Sequence, residues 1–252
     1  MSDLLEEKHI TKGGKTLILA YDHGLEHGPS EFNDVSVDPE YIFKIALDGK
    51  VTSIAVQKGI AEKYYQAEFR KIPLIVKLNG KARIHVGEPF SPLICTVDEA
   101  AELGAAAVGY TIYLGSERDS EMFETFGKIV DKAHDRGIPA IAWVYPRGKA
   151  VKDDTSAEIT AYAARTALEL GADLAKIKYC GSQECFEWAV KSAGRTKVVL
   201  SGGPKTETLE EFLETVKSVM AAGAAGVAVG RNVWQQKDPL EALSKIKELV
   251  FG

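Results

Sequence analysis

From Gly14 to the C-terminus, short β-branched or alanine-rich runs alternate with longer amphipathic segments. No other feature constrains the chain as strongly, because this alternation is the signature of parallel strands joined by helical crossovers. The runs fall at 16–21, 53–57, 74–78, 106–111, 140–145, 173–178, 197–200 and 226–229. Their number matches a closed β/α barrel, and a length of 252 residues suits one such barrel better than two small domains. The clearest helical patterns lie at 122–136, 156–170, 183–193, 209–222 and 240–250. Gly137, Gly171, Gly194 and Gly223 stand where a left-handed residue would end a helix, and Pro139 and Pro239 stand at element entrances.

An open, doubly wound sheet would also alternate strands and helices, but it would carry a glycine-rich nucleotide loop after its first strand. No such loop is present; the glycine pairs follow the late strands, at Ser201-Gly202-Gly203 and Gly230-Arg231. The expectation is therefore an α/β fold, a single parallel (β/α)8 TIM barrel over residues 1–252, with 1–15 as a short N-terminal extension. Three segments after strands, 23–38, 79–96 and 146–155, are too long for plain connectors and are expected to crown the C-terminal face.

Composition narrows the classes of function. A net charge of −5 without a basic stripe argues against nucleic acid as a partner, so any anion would be bound by local donors in a pocket. No apolar run is long enough to cross a bilayer, and the N-terminus lacks the apolar core of a signal peptide, so a cytoplasmic protein without a membrane partner is expected. Cys95, Cys180 and Cys185 are odd in number and are read as buried or half-buried thiols in a reducing compartment. Without a second ligand pair near Cys180 and Cys185, no zinc is inferred.

The sixth run reads Asp173-Leu-Ala-Lys176-Ile-Lys178-Tyr179. Period two places Leu174, Lys176 and Lys178 on one side, so both lysines are expected to face the barrel axis. Lost hydration and a second nearby cation would favour the uncharged amine that attacks a carbonyl. The plainer alternative makes one lysine an anion binder and the other an ion-pair partner, and spacing alone does not choose between them. The fifth run ends Trp143-Val-Tyr145-Pro-Arg147-Gly148, bringing Trp143 and Tyr145 to one side beside the sixth. Near a cation, that phenol becomes a usable proton donor; otherwise it is a rim aromatic. The first run ends Tyr21-Asp22-His23-Gly24, placing a carboxylate at the mouth. Asp22, His23 and His27 could alternatively form a loop metal site, since Gly24 and Gly28 argue against a helix spanning the histidines. Ser201, Gly202 and Gly203 after the seventh run, and Gly230 and Arg231 after the eighth, form the kind of tandem with which barrels bind phosphate.

Ala20-Tyr-Asp-His-Gly24, Lys77-Leu-Asn-Gly80, Tyr110-Thr-Ile-Tyr113, Trp143-Val-Tyr-Pro-Arg-Gly148, Lys176-Ile-Lys-Tyr179, Ser201-Gly-Gly-Pro-Lys205 and Val229-Gly-Arg-Asn-Val-Trp234 span nearly the whole chain. In these motifs the sequence resembles the archaeal-type class I fructose-bisphosphate aldolases of the DhnA family. The resemblance implies Lys176 as the Schiff-base lysine, Tyr145 as the proton donor, and Asp22 in binding and proton handling. It further implies a phosphorylated sugar as substrate, contacts from His23, Trp143, Arg147 and Lys178, no metal or other cofactor, and a homo-oligomer, relatives often being decamers. The related synthases of a dideoxy-heptulosonate precursor are the alternative. They usually carry a small polar residue at the position of Lys178, which favours the bisphosphate aldolase.

Overall fold

The computed structural model describes residues 3–84 and 86–252. Eight strands close into a barrel in chain order: β1 (Thr16–Tyr21), β2 (Ser53–Gln57), β3 (Leu74–Lys77), β4 (Ala107–Ile112), β5 (Ala140–Val144), β6 (Leu174–Ile177), β7 (Lys197–Ser201) and β8 (Gly226–Val229). All eight pairings are parallel, including the closure of β8 onto β1. Each strand lies within a residue or two of its expected run. The four helix-ending glycines all take positive φ, between 57° at Gly194 and 91° at Gly223.

Strands that are buried on both faces must be apolar on both, and period two sorts their side chains into two cores. One set, including Leu19, Val56, Val76, Val108, Ala175 and Val229, packs against the surrounding helices. The other fills the barrel interior with Ile18, Ala55, Ile75, Ala107, Ile141, Trp143, Leu174, Val199 and Ala228. Leu5 and Ile10 of the N-terminal segment join this inner set, so residues before β1 cover the barrel's interior from one end. Asp3 accepts from the N–H groups of Leu5 and Glu6 at the start of the short helix Leu4–Glu7.

Gly109 on β4 makes room for the largest inner side chain. A Cβ there would lie 1.6 and 1.8 Å from two Trp143 ring atoms. Gly109→Ala is expected to destabilise the protein by roughly 1–3 kcal/mol, the usual cost of overpacking a filled interior. The measurement is a urea denaturation midpoint; an unchanged midpoint would mean that the indole moves aside freely.

Two expectations need correction. The segment after β1 is not a plain loop: His23–His27 form a short helix, and Pro29–Glu31 a 3-10 turn. Gly24 is tolerated inside one turn of helix, and Gly28, at φ 75°, ends it by donating its N–H to the Gly24 carbonyl. Cys180 and Cys185 are joined in a disulfide rather than standing as thiols, whereas Cys95 is a buried free thiol. Gly181, at φ 95°, turns the chain sharply between β6 and the helix Gln183–Ser192 and brings the two Cα atoms to 6.2 Å. The segment 79–96 lies beside the one after β1, with Gly80 against Leu25 and Arg83 reaching the His27 carbonyl at 3.4 Å, although none of its described residues lines the cavity discussed below. That segment is tied down by Asn79, whose amide donates to the Ser91 and Thr111 carbonyls and accepts from Thr111 N at 2.8–2.9 Å. Among the described residues, no helix is long and apolar enough to cross a membrane.

Candidate active site

A cavity of about 560 Å³ opens at the C-terminal ends of the strands, where a barrel presents its variable loops. Lys176 reaches it from β6 in phase with Leu174; it is 5% exposed. Trp143 stands in register with Lys176 across the β5–β6 pair, and the lysine Nζ lies 5.4 Å from its ring centroid. At 1% exposure Trp143 does not line the cavity. Its ring lies beneath the lysine as part of the inner core.

Tyr145 follows β5 at the rim of the cavity, its Oη 3.2 Å from Ser201 Oγ at the end of β7. Phenol, serine hydroxyl and lysine therefore converge from β5, β7 and β6. Lys178, half-buried on the loop after β6, also lines the cavity, but it is ion-paired with Asp154 from the segment after β5. The second cation expected beside Lys176 thus brings its own counter-charge. Arg147 and Thr155 complete that wall.

Ser201, Gly202, Gly203, Gly230 and Arg231 all line the cavity. Gly230 cannot be replaced without displacement, because a Cβ would meet His23 Cε1 at 2.7 Å and the Ala20 carbonyl at 2.8 Å. Asn232 holds the two loops together: its amide donates to the Gly202 and Pro204 carbonyls at 2.9 Å, and its oxygen accepts from Thr206 N. Arg231 donates to Glu31 at 2.7 Å, so part of its fork is already engaged.

Two residues absent from the expected set share the site. Lys77, in the inward phase of β3, places Nζ 3.0 Å from Asp22 and 2.6 Å from Glu26, the latter on the short helix after β1. The motif Lys77-Leu-Asn-Gly80 and the phase shared with Ile75 carried the signal for Lys77. Nothing comparable marked Glu26, because the helix that aims it was not foreseen.

Burial would raise the Asp22 carboxyl, but the Lys77 ammonium, followed by Lys176 and His23, outweighs it and holds the group well below the usual carboxylate range. Lys77 is correspondingly raised: burial opposes its charge, and Asp22 and Glu26 more than compensate. His23, with Nδ1 3.7 Å from Asp22, is pushed down to about 3 by burial; Asp22 opposes this, and Lys176, Arg231 and His27 add to it.

The depressed histidine has a consequence for stability. Below its ordinary value near 6.5 the unfolded chain takes up a proton that native His23 refuses until about 3. Stability is therefore complete above that ordinary value and falls with acid through this window, by at most about 1.4 kcal/mol per pH unit for one histidine. Asp22, also depressed, extends the loss to lower pH. Urea midpoints measured from pH 7 to 4.5 are expected to decline, and His23→Asn to flatten the decline; equal slopes would remove His23 as its source.

A closed barrel whose ionisable groups gather at the C-terminal strand ends has the construction of an enzyme. A family model described as DeoC/LacD family aldolase matches residues 16–236. The class 1 fructose-bisphosphate aldolase of Thermoproteus tenax is 52% identical over 256 residues, covering 100% of this chain and 96% of that one. A Methanocaldococcus jannaschii protein named fructose-bisphosphate aldolase/6-deoxy-5-ketofructose 1-phosphate synthase is 36% identical, covering 95% and 81%. Among solved structures, an archaeal fructose-1,6-bisphosphate aldolase with its catalytic lysine covalently bound to the substrate's carbinolamine intermediate superposes with a TM-score of 0.94. It is 51% identical over 98% of this chain and 100% of that one. The chain belongs to the DeoC/LacD family of aldolases.

Proposed function

We propose that the protein is a class I fructose-1,6-bisphosphate aldolase, a lyase that reversibly cleaves the hexose to dihydroxyacetone phosphate and glyceraldehyde 3-phosphate, with Lys176 as its Schiff-base residue. The observation that carries this reading is a nearly buried lysine above an indole floor, facing a phenol and glycine-lined loops within one cavity. The uncharged amine attacks C2 of the ketose, and loss of water from the carbinolamine gives an iminium. The C3–C4 bond then breaks and its electron pair flows into the iminium, forming an enamine, while the C4 hydroxyl gives up its proton to become the aldehyde. Protonation of the enamine at C3 and hydrolysis release the second product.

Tyr145 exchanges the protons of dehydration, cleavage and enamine protonation. Ser201, Gly202, Gly203, Gly230 and Arg231 hold the C1 phosphate and so fix the ketone over the lysine. Arg147 and Lys178 are left for the distal end of the sugar, and Asp22 and His23 for its hydroxyls. The same reading implies a cytoplasmic setting and, from the family resemblance, a homo-oligomer.

Borohydride reduction in the presence of dihydroxyacetone phosphate, followed by peptide mass mapping, tests it. The expected adduct is on Lys176, and a chelator is expected to leave turnover intact. A mass shift on Lys178 alone would reassign the nucleophile. Recovery of no covalent sugar would end the Schiff-base reading, and loss of activity on chelation would favour a metal held by Asp22, His23 and His27.

A further inference from the structure

The chemistry above makes no use of Lys77 or Glu26, yet both line its cavity. Lys77 is 2% exposed and bridges Asp22 at 3.0 Å and Glu26 at 2.6 Å. The second Glu26 oxygen accepts from Tyr113 Oη at 3.2 Å, so the bridge is anchored in turn to the end of β4. Buried ion clusters contribute little net stability compared with apolar packing, because desolvation offsets their attraction. A cluster of this kind within a catalytic cavity is better explained by what it does to its members.

We propose that Lys77 is a positioning residue for the aldol reaction: from the inward phase of β3 it clamps Asp22 and Glu26 side by side, so that Asp22 faces the Schiff-base site as a fixed carboxylate. The proposal rests on the reading of Lys176 as nucleophile. Among the described residues, the other charged and titratable groups facing this cluster are His23 and His27 on the short helix, Lys176 on β6, Arg231 after β8, Tyr113 after β4, and Arg147 and Lys81, which lie 5.4 and 5.9 Å from the Tyr113 ring centroid. With these unchanged, removing Lys77 leaves Asp22 buried without its bridging cation, which favours the protonated carboxyl.

Lys77→Met alone strands the buried Asp22 carboxylate and the half-buried Glu26 and is prone to misfold, so the deciding variant is K77M/E26Q, which retains the formal charge of the cluster. It is expected to fold and to lower kcat for fructose 1,6-bisphosphate cleavage about 10- to 100-fold, the range seen when an outer partner of a functional group is removed. KM should change little. The acid limb of its kcat profile is expected to move up by about one pH unit or more, a shift that a merely structural lysine would not produce. Borohydride trapping on Lys176 should persist. An acid limb at the wild-type position, or trapping reduced by the same factor as kcat, would overturn the proposal. Failure of the wild-type protein to form the adduct would instead sink the Schiff-base reading on which it rests.

Discussion

Lys176→Met is expected to reduce fructose 1,6-bisphosphate cleavage by a factor on the order of 10⁴ to 10⁶, the scale on which loss of a covalent nucleophile is felt. The fold should survive, because methionine matches the aliphatic stem in volume, and among the described residues the nearby carboxylates Asp22 and Asp154 are ion-paired with Lys77 and Lys178 instead. The pocket would also record the change directly. Lys176 is one of the charges holding both Asp22 and His23 below their ordinary values, so each should titrate closer to that value in the variant. Lys176→Arg should be equally inactive, since a guanidinium stays protonated and cannot attack a carbonyl. Stopped assays at high enzyme concentration, with circular dichroism to confirm folding, measure the effect. Activity within a hundredfold of wild type would mean that another amine, Lys178 first among them, carries the adduct.

How far the sequence could anticipate this site depended on which physical signal each residue left. Period two in β6 identified the inward face, and Lys176 lies on it. The same argument put Trp143 inward and was right about the face, but it says nothing about depth. The indole lies beneath the cavity because Gly109 on the neighbouring strand leaves room for it, a contact set by the register of β4 against β5. Spacing left open which of the two lysines would be ion-paired; the partner of Lys178, Asp154, arrives from a segment more than twenty residues earlier, beyond any local pattern. The glycine tandem after β7 and β8 could be read from composition and position, whereas its binding together by Asn232 could not. The Cys180–Cys185 link depended on a turn at Gly181 rather than on spacing.

Tyr145→Phe separates the covalent step from the proton transfers that follow it. Phenylalanine preserves the ring at the cavity wall and removes only the hydroxyl, which lies 3.2 Å from Ser201 Oγ. The adduct with dihydroxyacetone phosphate should still form and be trapped, while turnover falls by the ~10² to 10⁴ typical of a lost general acid–base group. Because the lost interaction matters after the ketone is bound, the decrease is expected in kcat, with KM unchanged or lowered as covalent intermediate accumulates. Ser201→Ala provides the control. If the hydroxyl pair only oriented the phenol, removing the serine should cost far less than removing the phenol. Equal losses in both variants would make the pair, rather than Tyr145 alone, the proton-handling unit. A Tyr145→Phe protein with wild-type kcat would pass that role to another group in the cavity, and Asp22, fixed by Lys77, would be the first to test.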